Sequence, residues 1–168
     1  AALCLGLGMT SKEQLLSFLA KADDPNSGGR QMPQHYGHKD LRIVSQSSPT
    51  GTQFLQAVGC AMSRKWENDH EIVYVSSGEG STSEGEFHEA LNWASREKLP
   101  IIFHIQDNEY AISVHVSEQT SGSSVFSMVN GYDNLSRYEV DGTNFFETDL
   151  AFREAIERAG FEAVSYTH

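Results

Sequence analysis

One stretch of the sequence, residues 72–113, constrains the fold more than any other. A β-branched and aromatic run at 72–75 leads into the turn Gly78-Glu79-Gly80, and a second apolar run follows at 99–103. Between them, apolar residues recur at the spacing of one helix face: Phe87, Ala90, Leu91 and Ala94. This order predicts a βαβ unit with a right-handed crossover. Alternating strands and helices elsewhere predict an open, mostly parallel α/β sheet with helices on both faces.

Polar residues follow both predicted strands of this unit. Because neighbouring parallel strands end at one edge, about 4.8 Å apart, Glu79 and Asn108 are expected to reach a common ion. Carboxylate and amide oxygens suit magnesium or calcium. A helix expected to begin after Gly80, with Ser83 and Glu86 at capping-box spacing, would add N–H groups and a dipole that favour phosphate.

Taken alone, this pattern leaves alternatives open. One is a plain glycine turn with Glu79 and Asn108 in solvent. Another is a dinucleotide-binding turn, in which Asp107 would bind the ribose, although Ser83 then replaces the third glycine. A Walker phosphate loop is excluded, because no Gly-Lys-Ser/Thr sequence follows the turn.

The wider sequence resembles a known family. Gly78-Glu79-Gly80 followed by Asp107-Asn108 resembles the thiamine-diphosphate motif. Further matching stretches are Arg30-Gln31-Met32-Pro33, His35-Tyr36-Gly37, Ser47-Ser48-Pro49, Thr52-Gln53, Ser83-Glu84-Gly85 and Tyr110-Ala111-Ile112-Ser113. The chain is similar to the alpha subunit of the decarboxylating component of 2-oxo acid dehydrogenase complexes. The resemblance is strongest to the branched-chain, 2-oxoisovalerate branch, with the pyruvate branch as the alternative.

This resemblance implies a site for thiamine diphosphate and magnesium. The magnesium ligands would be Glu79, Asn108 and the backbone carbonyl of Tyr110. The implied cofactor-binding residues are Ser48, Thr50, Gly78, Gly80, Ser81, Glu84 and Asn108. A potassium ion would be held by Ser47, Pro49, Thr52 and Gln53. The segment offers no firm catalytic residue. His35 is the candidate, because histidine is the commonest acid–base residue. Gln106 stands where the family often has an arginine that contacts the diphosphate.

The implied activity is oxidative decarboxylation of a branched-chain 2-oxo acid with acyl transfer to a lipoyl group. Residues 1–168 would form a single thiamine-diphosphate domain, part of a longer chain and inactive alone. A beta subunit or fused C-terminal half would complete the active site, in a heterotetramer of two alpha and two beta chains that serves a lipoyl-bearing acyltransferase core. The expected location is the bacterial cytoplasm or mitochondrial matrix. A nicotinamide-binding oxidoreductase and an inactive assembly subunit are the competing hypotheses.

The composition of the chain limits the classes of binding partner. With 12 basic and 23 acidic residues, the chain has a formal net charge of −11, which argues against nucleic acid or anionic membrane as a partner. Cys4 and Cys60 lie far apart without metal-ligand spacing, as expected for reduced thiols in an intracellular protein. No run approaches the length of a membrane-spanning segment.

The remaining pattern predicts several further elements. Thr10 and Glu13 have the spacing of a capping box, which predicts a helix start there. A buried helix is expected over residues 52–66. Residues 47–50 could simply cap that helix, as an alternative to the cofactor and potassium roles that the resemblance implies. Strands are expected at 41–44, 138–140 and 161–166, and a Ser- and Gly-rich loop at 114–130 that closes near the site. His104 is expected to be a core residue. Asn144 should cap a helix with six residues facing the sheet: Phe145, Phe146, Leu150, Phe152, Ile156 and Ala159.

Overall fold

The computed structural model describes residues 1–67, 69–160 and 163–167. Contacts divide the chain into two compact units, Ala1–Pro49 and Thr50–His168. The expectation of a single domain over residues 1–168 stays a prediction. Among the helices of the described residues, none combines the length and the apolarity that a membrane crossing requires.

The first unit contains two short helices followed by a long loop. These helices are α1 (Ala2–Gly6) and α2 (Ser11–Phe18), and Thr10 is the N-cap of α2. The Thr10 hydroxyl accepts the Glu13 N–H, and the Glu13 carboxylate accepts the Thr10 N–H, which confirms the predicted capping box. The prediction of a strand at 41–44 is wrong. Only an isolated bridge between His38 and Ile43 forms there, because Arg42 adopts a φ of 54° that interrupts extended backbone.

The second unit contains the sheet. In chain order its elements are α3 (Thr52–Trp66), β1 (Val73–Gly78), α4 (Gly85–Glu97), β2 (Ile101–Gln106), β3 (Tyr110–Ala111), β4 (Val114–His115), α5 (Val116–Gln119), α6 (Val125–Met128), β5 (Leu135–Glu139), α7 (Phe145–Ala159) and β6 (Ala163–Thr167). Four strands form a parallel sheet in the order β1-β2-β6-β5, and β3 and β4 form a small antiparallel hairpin. The predicted α/β class is confirmed. Of the strand predicted at 161–166, residues 161 and 162 lie outside the described residues.

Helices α3 and α4 cover one face of the sheet. Phe54 of α3, Phe87 of α4 and Phe103 of β2 are fully buried and meet through ring centroids 4.9 to 6.4 Å apart. Alternate residues of β2 point to this side, as the period-two geometry of a strand requires. This aromatic cluster fixes the two helices over β1 and β2, and with them the edge where those strands end.

Helix α7 covers the opposite face, but not as the sequence predicted. Asn144 caps it as expected, accepting the Glu147 N–H at 3.3 Å. The expectation that Phe145, Phe146, Leu150 and Ile156 face the sheet is wrong, because these side chains are 52 to 83% exposed. The other two predicted residues do face it: Ala159 is fully buried and Phe152 is partly buried, and Ala151 and Ala155, which the prediction omitted, complete this face. Small side chains every four residues let the helix backbone lie close to Ile102 and Val164.

The prediction of a loop at 114–130 is also wrong. After β4 the chain forms α5, a 3₁₀ turn Ser121–Ser123, α6 and a second 3₁₀ turn Val129–Gly131. Val116, Val125 and Val129 are buried. Ser124 accepts the Ser127 N–H at 3.2 Å, so this serine caps a helix rather than marking a loop.

His104 is a buried core residue, as predicted. It lies mid-strand in β2, is 6% exposed, and its Nδ1 is hydrogen-bonded to the Tyr74 hydroxyl of β1. The Phe152 ring packs edge-on against its imidazole at a centroid distance of 5.2 Å. The imidazole therefore belongs to the packing between the sheet and α7.

The observed orientation of α7 gives a stability prediction. Ala155→Leu inserts a larger side chain where no space is left, and we expect it to lower the free energy of unfolding by about 1–3 kcal/mol. Phe146→Ser, on the exposed side, should change it by less than about 0.5 kcal/mol. Urea unfolding followed by circular dichroism measures both. A larger loss from Phe146→Ser than from Ala155→Leu would contradict the observed orientation.

Candidate functional site

The pairing of β1 with β2 brings the two predicted ligands to one edge of the sheet. The strands are parallel and in register through Gly78 and Gln106, so the residues that follow them start from neighbouring points. The Asn108 N–H donates to Glu79 Oε2 at 3.4 Å. The structure therefore brings Glu79 and Asn108 together, while their role as metal ligands stays a prediction.

Glu79 is the chemically unusual member of this edge. Its side chain is 2% exposed, and Oε1 has no hydrogen-bond partner among the described residues. The alternative in which Glu79 is solvated is therefore wrong. A buried carboxylate held by one long hydrogen bond is unfavourable unless a cation compensates it. The residues present fit a hard divalent cation in this respect.

The other two predicted magnesium ligands follow β2: Asn108 lies in the loop, and Tyr110 is the first residue of β3. The Asn108 side-chain oxygen accepts the Tyr110 N–H at 2.9 Å, which closes a local turn on an exposed part of the edge. The described residues hold no group of three or more His, Cys, Asp or Glu side chains suited to a metal. A cation bound by Glu79 would thus depend on amide, carbonyl and cofactor oxygens as well.

The helix predicted after the glycine turn is present as α4, but a short 3₁₀ turn precedes it. Residues Glu79–Ser83 form a 3₁₀ turn, closed by a hydrogen bond of 2.7 Å from the Thr82 hydroxyl to the Glu79 carbonyl oxygen, and α4 begins only at Gly85. The predicted capping box at Ser83 is wrong, because Glu84 is the N-cap and makes no side-chain capping bond.

Gln119 holds this turn from the side. Its amide nitrogen donates to the Gly80 carbonyl oxygen at 2.9 Å and to the Ser83 hydroxyl at 2.8 Å. The hairpin lies equally close, since a Cβ on Gly80 would be 2.7 Å from the Ala111 Cβ. Sequence reasoning missed Gln119, because it lies 39 residues beyond Gly80 and no local pattern marks it.

Helix α3 approaches the same turn from the other side. Gln53 Nε2 donates to the Ser77 hydroxyl at 3.1 Å, and that hydroxyl donates to Ser81 Oγ at 2.6 Å. Gly51 precedes α3 with a φ of 90°, and a Cβ there would lie 2.8 Å from the Glu84 Cβ. The structure therefore brings Gln53, Ser81 and Glu84 to one region, and adds Ser77, which sequence reasoning also missed.

The remaining predicted site residues are divided between the two units. Ser47, Ser48 and Pro49 belong to the first unit, whereas Thr50, Thr52 and Gln53 belong to the second. The alternative of residues 47–50 as a helix cap is wrong, because Gly51 is the N-cap of α3 and no side chain caps it. The potassium and aminopyrimidine roles of these residues stay predictions.

His35 lies in the loop of the first unit. Its Nε2 is 3.0 Å from the Ser48 hydroxyl oxygen, and its Nδ1 is 3.3 Å from the Pro33 carbonyl oxygen. It lines a cavity of about 430 Å³ together with Arg30, Gln31 and Gln46. The structure thus joins two residues that the sequence had singled out separately, His35 and Ser48.

A buried carboxylate organises that loop. Asp24 is 4% exposed and accepts hydrogen bonds from Asn26, from the Ser27 N–H and hydroxyl, and from the Gly29 N–H. Ser27 in turn accepts the Arg30 N–H. Burial raises the pKa of Asp24, but the hydrogen bonds from Asn26, Gly29 and Ser27 outweigh it, so the net pKa is lowered.

Known proteins share much of this sequence. The sequence pattern of the dehydrogenase E1 component family matches residues 1–163. The 2-oxoisovalerate dehydrogenase subunit alpha of Bacillus subtilis is 44% identical over 155 residues, which are 92% of this chain and 47% of the relative. The mitochondrial subunits of Mus musculus and Homo sapiens are 43% and 44% identical over 82% and 78% of this chain. The chain spans less than half of these relatives' lengths, 30% and 29% for the two mammalian proteins.

The isolated carboxylate oxygen of Glu79 gives a second prediction. Glu79→Gln removes a buried charge and keeps the side-chain shape, so we expect the metal-free protein to melt a few degrees higher, on the order of 1 kcal/mol. The same variant should lose any thermal stabilisation that Mg²⁺ added together with thiamine diphosphate gives the wild type. Thermal unfolding with and without both measures this. Glu89→Gln, on the exposed face of α4, should leave both values unchanged; a lower melting point for metal-free Glu79→Gln would contradict this account.

Asp24 gives a third prediction. Since its pKa is lowered in the folded state, its contribution is fully present above its unfolded pKa of about 3.9 and is lost as pH falls through the lower folded value. Asp24→Asn should reduce the free energy of unfolding by about 1.5–3 kcal/mol at pH 7. This difference from the wild type should shrink below about pH 4. Urea unfolding across roughly pH 3–7 tests it against Asp23→Asn, an exposed neighbour. A pH-independent difference would contradict it.

Proposed function

The chain belongs to the dehydrogenase E1 component family, and on that premise we propose that it binds thiamine diphosphate with Mg²⁺ where β1 and β2 end. The observation that carries this proposal is the Glu79 carboxylate, buried, with one oxygen lacking a partner among the described residues, and joined to the Asn108 loop of the neighbouring strand. Magnesium prefers one or two protein carboxylates together with phosphate oxygens, which matches a single available carboxylate.

Each residue of the edge has a distinct part in this proposal. Glu79, the Asn108 side chain and the Tyr110 carbonyl would ligate the cation, and the Asn108 oxygen would exchange its bond to the Tyr110 N–H for the metal. Gly80 and Ser81 open the 3₁₀ turn, where the first N–H groups have no partner within the turn. These N–H groups would donate to the diphosphate. Gly78 has no side chain to obstruct its approach, and the absence of a side chain at Gly80 lets the hairpin lie close to the turn.

The cofactor, when bound, supplies an electron sink that allows a 2-oxo acid to lose carbon dioxide. The chain's own residues would hold and orient it: the metal ligands neutralise the diphosphate, while Ser48 and Thr50 contact the aminopyrimidine end. His35, whose Nε2 is hydrogen-bonded to Ser48 within the first unit, is the proposed substrate-facing residue. A potassium ion held by Ser47, Pro49, Thr52 and Gln53 would stabilise the turn before α3.

The substrate and partners follow from the relatives. Because the matched relatives are 2-oxoisovalerate dehydrogenase alpha subunits, the proposed reaction is oxidative decarboxylation of a branched-chain 2-oxo acid, with acyl transfer to a lipoyl group. An alpha subunit implies a beta partner, and the proposed assembly contains two of each with a lipoyl-bearing acyltransferase core. The relatives are bacterial and mitochondrial, which supports a bacterial cytoplasmic or mitochondrial matrix location.

The cofactor proposal is tested by binding. We expect calorimetry to show Mg²⁺-dependent affinity for thiamine diphosphate in the full-length protein with its beta partner. Asn108→Ala should weaken this affinity by roughly 10- to 100-fold, as expected when a hydrogen-bonded group on a charged ligand is removed. Asn92→Ala, on the exposed face of α4, is the matched control and should bind normally.

The outcomes of this experiment separate the three hypotheses. Binding of NADH in place of thiamine diphosphate would favour a nicotinamide-dependent oxidoreductase and overturn the proposal. Normal assembly without cofactor binding or turnover would indicate an inactive assembly subunit. A panel of branched and unbranched 2-oxo acids, assayed with the complete enzyme, distinguishes the branched-chain hypothesis from the pyruvate alternative.

A further inference from the structure

Three polar side chains lead from helix α3 to the 3₁₀ turn of the site. Gln53 lies in the first turn of α3, Ser77 near the end of β1, and Ser81 in the middle of the 3₁₀ turn. The distances between successive donor and acceptor atoms are 3.1 Å and 2.6 Å. All three residues are partly buried, so water competes less for these bonds than at an open surface.

The chemistry of the first member sets the direction of the chain. An amide nitrogen can only donate, so the Ser77 oxygen accepts from Gln53. The Ser77 hydrogen is then used to donate to the Ser81 oxygen. Ser81 therefore keeps its own hydrogen for an outside acceptor. Donors arranged in series polarise one another, so the last hydroxyl is a stronger donor than an isolated serine.

We propose that Gln53, Ser77 and Ser81 form a donor relay whose terminal Ser81 hydroxyl binds an oxygen of the diphosphate. This inference rests on the proposed function, and adds a side-chain contact to the backbone N–H contact expected of Ser81. Ser81 is the binding group of the relay. In the relay, Ser77 and Gln53 are positioning residues, which act on the diphosphate through Ser81.

The relay also positions the turn mechanically. The 3₁₀ turn has one anchor on the hairpin side, through Gln119, and the Ser77 hydroxyl supplies another on the α3 side. Because Ser77 belongs to β1, the anchor is attached to a strand whose register is fixed by its pairing with β2. Ser81 is therefore held in one rotamer before any ligand arrives, which lowers the entropy lost on binding.

The relay is tested by the affinity for thiamine diphosphate with Mg²⁺, measured by calorimetry on the full-length protein with its beta partner. Ser77→Ala removes the middle member, and we expect about 3- to 10-fold weaker binding, the usual effect of one hydrogen bond. Ser77→Thr keeps a hydroxyl and should restore affinity to within about 2-fold of the wild type. Ser76→Ala, on the other face of β1, should bind as the wild type does.

A double-mutant cycle separates the relay from a merely structural role. Gln53→Glu replaces the donor with an acceptor, so Ser77 should donate to the new carboxylate and Ser81 should donate to Ser77. The Ser81 lone pairs would then face the anion, and we expect a larger loss of affinity than for Ser77→Ala. Adding Ser77→Ala to Gln53→Glu should recover part of that loss, because the reversed chain no longer reaches Ser81. Inorganic pyrophosphate with Mg²⁺ should show the same ranking.

The possible failures are distinguishable. If the wild type does not bind thiamine diphosphate, the proposed function itself fails. If the wild type binds but Ser77→Ala binds equally well, or if the losses in the cycle simply add, the relay fails and the cofactor site remains. The thermal midpoint of each variant without ligand identifies any folding defect. If Ser77→Ala does not fold, the affinity of Ser77→Thr tests the relay instead: affinity close to that of the wild type supports it, and weak binding by folded Ser77→Thr contradicts it.

Discussion

The parallel pairing of β1 with β2 is the constraint on which the rest of the structure depends. The two strands align residue by residue from Val73 opposite Ile101 to Gly78 opposite Gln106. Phe54, Phe87 and Phe103 pack α3 and α4 against this pair, so the register is fixed from one side by a dry aromatic cluster. A shift of one residue would turn Phe103 out of the core and separate Glu79 from the Asn108 loop. The packing of the core and the geometry of the site therefore depend on the same strand register.

The central unit was predictable from sequence because two separate signals agree there. Strand runs and a helical period of about 3.6 residues fix the order of elements, and parallel strands must end at a common edge. Four of the six residues of helix α7 that were predicted to face the sheet are exposed, since a hydrophobic pattern cannot tell which size of apolar residue the space beneath a helix accepts. Ala155 fits against the sheet and Phe146 does not. The predicted roles of single residues came from the family resemblance, not from the pattern.

The site contains contacts that no local pattern could have given. Gln119 reaches the Gly80 carbonyl oxygen from 39 residues further along the chain, and Gln53 reaches the Ser77 hydroxyl across 24 residues. Such contacts depend on tertiary structure, and a single sequence contains no periodic signal for them. Glu79 is a different case, because its carboxylate is buried without a full set of hydrogen-bond partners. We expect this to lower the stability of the metal-free protein, and a cation bound at the proposed site would restore it.

The close approach of Gly80 to Ala111 has an evolutionary consequence. With 2.7 Å between the Ala111 Cβ and any Cβ added at Gly80, each position limits the volume available to the other. A larger residue at Gly80 would displace the hairpin that follows the asparagine loop, and so disturb both halves of the edge in a single step. In descendants of this sequence the order of substitution therefore matters: a side chain at position 80 fits only after Ala111 has become glycine, which leaves the backbone Cα of residue 111 at 3.5 Å from the new Cβ.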